Sequence, residues 1–140
     1  TTDEEALRRL GAEGVLAMVC DSTNVFVKGE SGSESELRAS LHELVGRCHG
    51  RVAITCFASN VARLETIARV AASHGRHTAL VGRSLWRICE AACETGYLAG
   101  LPPFVTEHDA GYLPREKALL ICTGSQGEPR SALARIAPIA

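Results

Sequence analysis

The sequence predicts a three-layer α/β/α domain, in which a mostly parallel sheet carries helices on both faces. Two observations predict this fold class. The apolar runs of strand length are continuous rather than alternating, as expected for strands that are buried on both faces. Between these runs lie amphipathic helical patterns that are long enough to return the chain for a parallel strand. A length of 140 residues suffices for one such domain with a hydrophobic core.

Apolar segments bounded by polar or glycine residues are predicted as strands. A short one, "PFVTE", falls inside a proline-bearing loop that runs from Tyr97 to Pro114. The longer predicted strands are Gly14–Cys20, Arg51–Phe57, His77–Gly82 and Lys117–Thr123.

Helices are predicted before the first strand and after each of the longer ones, from apolar residues at helical spacing and from capping residues. Thr2 with Glu5, and Ser33 with Glu36, form capping boxes that open the first two helices. The predicted helices run from Thr2 to Gly11, from Ser33 to about Cys48, from Asn60 to His74, from a Ser84 cap to Gly96, and onward from Pro129 in a first helical turn.

Composition and charge exclude some functions. A net charge of −1 argues against a protein that binds nucleic acid by bulk electrostatics alone. No apolar run approaches the roughly 20 residues that a membrane helix needs, so no membrane association is expected. A local basic site stays open, because five arginines crowd the middle of the chain: Arg63, Arg69, Arg76, Arg83 and Arg87.

No recognisable metal motif occurs, since the six cysteines form no C-x-x-C pair and the five histidines form neither H-x-H nor H-E-x-x-H. Cys89 and Cys93 share one helical face, which indicates either core packing or a metal site completed from elsewhere. Three cysteines in apolar runs are expected to be small buried hydrophobes, namely Cys20, Cys56 and Cys122. Reduced thiols fit an intracellular protein.

Ligands of parallel sheets bind outside the carboxyl ends of the strands, and these ends are rich in small hydrogen-bonding groups here. Several of them lead towards helix N-termini, which favour anions. A turn or cap is the alternative for each loop taken singly. The candidate binding residues are Ser22, Thr23, Asn24, Ser59, Asn60, Arg83, Ser84, Thr123, Gly124, Ser125, Gln126 and Gly127.

Two features of these ends limit the interpretation. The stretch "TGSQGEP" (Thr123–Pro129) has no lysine, and the sequence contains neither G-x-x-x-x-G-K-[ST] nor G-x-G-x-x-G. Dinucleotide-binding and nucleotide-triphosphatase functions are therefore disfavoured. Asp21, which directly follows an apolar run, either orients a neighbouring group or accepts hydrogen bonds from its own loop as an Asx-turn.

Taken together, "GVLAMVCDSTN", "GRVAITCFASN", "LVGRSLWRICEAA" and "ICTGSQGEPRSALARIA" resemble ribonuclease J, a metallo-β-lactamase-fold nuclease with an inserted β-CASP domain. The resemblance runs from about Glu13 to Ala137, nearly the whole chain. It implies a Rossmann-like β-CASP domain over residues 13–140, in partial form, after a short helical lead-in over residues 1–12 from the metallo-β-lactamase part.

The resemblance also implies a function for the complete enzyme, a cytoplasmic homo-oligomer that hydrolyses RNA both endonucleolytically and from 5′ to 3′ with two zinc ions. Asp21 matches the supporting acid of the first β-CASP motif, and the loop residues are expected to face an RNA and 5′-phosphate cleft. The H-x-H-x-D-H metal motif is absent, so the zinc ions are expected outside this chain, which is expected to be inactive alone. The alternatives are a stand-alone nucleotide- or phosphate-binding module and an interaction module without catalysis.

Overall fold

Four parallel strands form one sheet in the computed structural model, which describes residues 3–29, 32 and 34–136. The strands are β1 (Val52–Thr55), β2 (His77–Val81), β3 (Val105–Thr106) and β4 (Ala118–Cys122), and their order across the sheet is β1-β4-β2-β3. Every pairing is parallel, so the carboxyl ends of all four strands lie along one edge. The sequence alone does not determine this order.

Six α-helices occur in the described residues. They are α1 (Glu4–Glu13), α2 (Glu34–Gly46), α3 (Val61–Ser73), α4 (Arg83–Glu94), α5 (Glu107–Tyr112) and α6 (Ala132–Ile136), and a 3₁₀ turn spans Arg115–Lys117. None of the helices in this part of the chain is long and apolar enough to cross a bilayer.

The sheet buries apolar side chains on both faces, which confirms the predicted α/β fold. Alternate residues of β4 point to opposite sides: Leu119 and Ile121 join the larger core with α3 and α4, whereas Cys122 joins a smaller core with Ala132 of α6. Helices therefore cover the sheet on both sides, in three layers. This double coverage explains why the strands are continuous apolar runs rather than alternating ones.

The described chain divides into two units, residues 1–31 and residues 32–140. The first unit consists of α1 and a segment without regular structure that turns at residues 23–26, and the second contains the sheet. The predicted boundary at residue 12 rests on the resemblance and stays a prediction.

The predicted strand Gly14–Cys20 is wrong, because these residues have no regular structure and are all exposed. A strand requires backbone partners as well as an apolar sequence, and the described residues of the first unit offer none to this segment. Leu16 and Val19 are fully accessible to solvent. Cys20, expected to be buried, is likewise exposed.

The other predicted strands and all five predicted helices are present, but some helix starts differ and α1 ends at Glu13 rather than at the predicted Gly11. The predicted cap of α3 is confirmed, since the Asn60 side chain accepts a 3.0 Å hydrogen bond from the Arg63 N–H. The Ser84 cap is wrong, because α4 begins at Arg83 after Gly82 and has no side-chain cap. The last helix starts three residues beyond Pro129, and its cap is Ser131, whose Oγ accepts from the Ala134 N–H at 3.2 Å.

The starts of the other helices also differ from the prediction or lie outside the described residues. Asp3 caps α1 by accepting a 2.9 Å hydrogen bond from the Ala6 N–H, whereas Thr2 and Ser33, predicted to open the first two helices, lie outside the described residues. The short helix α5 has no counterpart among the predicted elements. Its cap is Thr106, whose hydroxyl accepts from the Asp109 N–H at 3.1 Å.

Candidate anion-binding cleft

A cleft of about 1070 Å³ opens at the carboxyl ends of β2, β3 and β4, entirely within the second unit. The strand ends and the helices that follow them build its walls. Its lining residues are Gly82, Arg83, Ser84, Trp86, Arg87, Thr106, Glu107, Thr123, Arg130, Ala132 and Arg135. The cleft thus lies where ligands of open parallel sheets bind.

The wall from α4 follows directly from the end of β2. Gly82 links the two elements with a φ of +118°, a conformation that favours glycine, and so turns the chain sharply into the helix. Arg83 and Arg87 are four residues apart on α4 and therefore lie on the same side of it. The Ser84 hydroxyl has no hydrogen-bond partner among the described residues and lines the cleft.

The opposite wall is fixed to the end of β4. Thr123 accepts hydrogen bonds from the first residues of α6, through its hydroxyl from the Ala132 N–H at 3.4 Å and through its carbonyl from the Leu133 N–H at 3.0 Å. These bonds hold α6, and with it Arg135, against the strand end. Thr123 is therefore a positioning residue for the cleft wall as well as part of its lining.

Positive charge dominates the lining. Of the four arginines, only Arg135 has an acidic partner among the described residues, with Nη2 3.7 Å from the Glu107 Oε2. Arg83, Arg87 and Arg130 are exposed and without a carboxylate within ion-pair distance in the described part of the chain. Such a surface attracts anions even though the whole chain carries a net charge of −1.

The five mid-chain arginines thus divide into structural and cleft-lining ones. Arg63 pairs with Glu34 at 2.5 Å between α3 and α2, and Arg69 pairs with Glu65 at 2.8 Å within α3. Arg76 is buried and donates to the carbonyls of residues 48, 50 and 118, at 2.7 Å for Gly50. Arg83 and Arg87 remain for a ligand.

The loop after Thr123 contributes less to the cleft than the sequence predicted. Gly124 has a φ of +124°, and a Cβ there would lie 2.6 Å from the Ser131 Oγ, so close packing against α6 explains this glycine. The Gly127 N–H donates to the Gly124 carbonyl at 3.1 Å in a turn. Three predicted binding residues are exposed and do not line the cleft, namely Ser125, Gln126 and Gly127.

The loop after β1 also lies apart from the cleft. Asn60 caps α3, and Ser59 borders a separate groove of about 440 Å³ with α4 and Tyr97. Since β4 stands between β1 and β2, the end of β1 is separated by β4 from the end of β2, where α4, the helix of Arg83 and Arg87, begins. Of the predicted binding residues, the structure brings together Arg83, Ser84 and Thr123.

Asp21 adopts the Asx-turn, one of the two roles that its sequence position allowed. Its Oδ1 accepts hydrogen bonds from the Thr23 N–H, at 2.8 Å, and from the Thr23 hydroxyl. The Thr23 hydroxyl holds the pKa of the Asp21 carboxyl below its ordinary value of 3.8. Ser22 and Asn24 lie in the same exposed turn, where their carbonyls accept from the Val25 and Val27 N–H groups. The four predicted site residues of this turn, Asp21, Ser22, Thr23 and Asn24, belong to the first unit.

The described residues do not fit a metal ion. Nowhere in residues 3–29, 32 and 34–136 do three or more His, Cys, Asp or Glu side chains gather in a group that could hold one. Cys89 is buried and Cys93 exposed on α4, and burial raises the pKa of the Cys89 thiol to about 11. No zinc-dependent step is therefore assigned to these residues.

Comparison with known proteins decides the family. The family described as "Ribonuclease J, beta-CASP domain" matches residues 49–139. The chain belongs to the ribonuclease J family. The matched range contains the whole sheet and every residue that lines the cleft, so the cleft is a feature of the β-CASP domain. The segment "DSTN" with Asp21 lies before this range, and its assignment to a β-CASP motif stays a prediction.

The relatives extend over almost the whole chain. Ribonuclease J of Sinorhizobium meliloti is 48% identical over 97% of the chain, that of Corynebacterium glutamicum 44% over 97%, and that of Thermus thermophilus 39% over 91%. The chain covers 24%, 19% and 22% of these relatives, so it spans about a quarter of their length or less.

Sequence reasoning missed most of this ribonuclease J cleft. The missed lining residues are Gly82, Trp86, Arg87, Thr106, Glu107, Arg130, Ala132 and Arg135. A signal was available for Arg87, which follows Arg83 at helical spacing after a strand end. Arg130 and Arg135 gave no such signal, because their place depends on where α6 begins.

Proposed function

We propose that this chain is the β-CASP part of a ribonuclease J-type, zinc-dependent ribonuclease and that its arginine-lined cleft binds RNA phosphates. The observation that carries the proposal is the set of three arginines without acidic partners among the described residues, at the carboxyl ends of the sheet. Membership of the ribonuclease J family supports RNA as the source of the phosphates.

The lining suits a phosphodiester backbone chemically. Guanidinium groups offer several N–H donors in a planar fork that matches phosphate oxygens, and their charge persists at any physiological pH. The Ser84 hydroxyl adds a neutral hydrogen-bond donor, and Gly82 in the cleft wall has no side chain that would obstruct the RNA backbone. Arg83 and Arg87, one helical turn apart, would bind neighbouring phosphates or one phosphate from two sides.

Hydrolysis is proposed for the complete enzyme. The chemistry that bound zinc would supply to the complete enzyme is a hydroxide nucleophile and stabilisation of the leaving oxygen. The described residues do not fit a zinc site, so this chain contributes binding, and we expect no RNA cleavage from it alone. Metal-dependent cleavage by the purified chain would contradict this division of roles.

Binding of single-stranded RNA, followed by fluorescence anisotropy at several salt concentrations, tests the phosphate-binding role. Arg83→Gln and Arg87→Gln are each expected to weaken binding and to reduce the slope of log K against log salt by about 0.7 for each phosphate that is no longer neutralised. Arg69→Gln is the matched control, because Arg69 pairs with Glu65 on α3 and does not line the cleft. An equal loss of affinity in the control, or none in the cleft variants, would refute the proposal.

A further inference from the structure

We propose that Trp86 forms a nucleobase-stacking subsite beside the arginines, so that the cleft takes single-stranded nucleic acid with an unpaired base on the indole. This inference rests on the proposed function, because it requires RNA phosphates at the arginines. It adds a residue whose contact is to the base rather than to the backbone.

The indole is held firmly in the cleft wall. Its Nε1–H donates a 3.1 Å hydrogen bond to the Leu80 carbonyl of β2, and the ring packs against the larger core. It is nevertheless only half-buried, and it lines the cleft. Part of its carbon surface therefore borders the space that a ligand would occupy.

Two of the cleft arginines are close to the indole in sequence and lie on the same helix. Arg83 lies three residues before Trp86 on α4 and Arg87 one residue after it, and all three line the cleft. Phosphate and base are joined through one sugar, so a nucleotide whose phosphate binds Arg83 or Arg87 has its base within reach of the indole. The cleft, at about 1070 Å³, has room for a nucleotide together with its neighbours.

The chemistry of the subsite determines what it selects. Aromatic side chains stack with any base, because every base has a π-face, and this contributes about 1–3 kcal/mol per base in single-strand binding proteins. The indole N–H already donates to the Leu80 carbonyl, so it is not available to hydrogen-bond the edge of a base. The subsite is therefore expected to be tolerant of sequence but to require a base that is unstacked and unpaired.

The fluorescence of Trp86 reports on this contact directly, since it is the single tryptophan of the chain. Three ligands distinguish the phosphate contact from the base contact. They are a 5′-phosphorylated oligoadenylate, an abasic oligomer of the same length and phosphorylation, and a duplex that contains the oligoadenylate. The oligoadenylate is expected to quench Trp86 on binding, and the abasic oligomer and the duplex to bind the arginines without comparable quenching.

Variants then measure the contribution of stacking to affinity by anisotropy. Trp86→Leu is expected to weaken oligoadenylate binding at least about fivefold, the equivalent of about 1 kcal/mol, while affinity for the abasic oligomer stays unchanged. Trp86→Phe keeps a smaller aromatic ring and is expected to retain part of the base-dependent affinity. Tyr97→Leu is the control, because Tyr97 is an exposed aromatic residue outside the cleft.

The outcomes separate the inference from the proposed function. If neither the oligoadenylate nor the abasic oligomer binds, both the proposed function and the stacking subsite are refuted. If both bind equally well and Trp86 fluorescence does not change in the wild-type chain, the stacking subsite alone is refuted. The same conclusion follows if the oligoadenylate binds more tightly but Trp86→Leu and Trp86→Phe keep that advantage.

Discussion

Gly14–Cys20 and β4 (Ala118–Cys122) are nearly alike as sequences and opposite as structures. Each is a continuous apolar run that ends in a cysteine and is followed by small polar residues. The first has no regular structure and is exposed along its whole length. The second is a central strand in which Leu119 and Ile121 are completely buried.

The difference lies in the backbone partners. β4 pairs along its whole length with β2 on one side and, through most of it, with β1 on the other, so its N–H and C=O groups are satisfied inside the sheet. The described residues of the first unit provide no pairing strand for Gly14–Cys20. An apolar run therefore indicates which residues can be buried in a strand, while the neighbouring segments decide whether they are.

Truncation of one apolar side chain in each run gives the largest expected contrast. Ile121→Ala is expected to lower the free energy of unfolding by about 2–5 kcal/mol, because it leaves a cavity in the larger core. Leu16→Ala is expected to change it by no more than about 0.5 kcal/mol, because the side chain is exposed. Urea unfolding followed by circular dichroism measures both. Similar losses of stability in the two variants would show that Gly14–Cys20 is packed in solution.

The two runs end in cysteines, and the rates at which these cysteines react with a thiol reagent test the same comparison. Cys20 is exposed and is expected to react with a thiol reagent in the folded chain. Cys122 is buried, and burial raises the pKa of its thiol, so little thiolate forms at neutral pH and reaction is expected only when the sheet opens. Mass spectrometry of the modified peptides follows each site. Protection of Cys20 equal to that of Cys122 would contradict the exposed conformation.

The smallest expected effect concerns the turn that follows the first run. The folded turn lowers the pKa of Asp21, so the ionised carboxylate stabilises the turn at every pH above the ordinary pKa of 3.8. This stabilisation is lost as the pH falls through the lower pKa of the folded state. Thr23→Val removes the hydroxyl donor and is expected to return the Asp21 pKa towards 3.8. A carboxyl titration by NMR measures the shift, and an unchanged midpoint would mean that the hydroxyl contributes nothing.

Much of the second unit was predictable because local and global signals agree there. The runs that became β2 and β4 carry enough apolar residues to be buried on both faces, the run that became the edge strand β1 is only partly buried, and the Asn60 cap marks the start of α3. The strand order and α5 were not predictable in the same way. The order depends on tertiary packing, and α5 is a six-residue helix with Gly111 near its end, which weakens its helical signal.

The candidate site was predictable in position but only partly in content. The rule that ligands bind at the carboxyl ends of parallel strands places Arg83, Ser84 and Thr123 at the correct edge. Conversely, the small residues of "TGSQGEP" are explained by a turn and by close packing of Gly124 against α6. Whether a loop residue faces a ligand or its own turn depends on side-chain geometry that spacing alone does not contain.

Photo-crosslinking tests the central claim, that this chain binds RNA at the arginine-lined cleft and not elsewhere, most directly. Single-stranded RNA that carries 4-thiouridine is irradiated with the 140-residue chain, and the crosslinked peptides are identified by mass spectrometry. Adducts are predicted on peptides that contain Trp86 or Arg130, with a loss of crosslinking in Arg83→Gln and Arg87→Gln. Adducts confined to the exposed apolar segment of residues 14–27, or RNA binding with no adduct in the cleft, would contradict the claim.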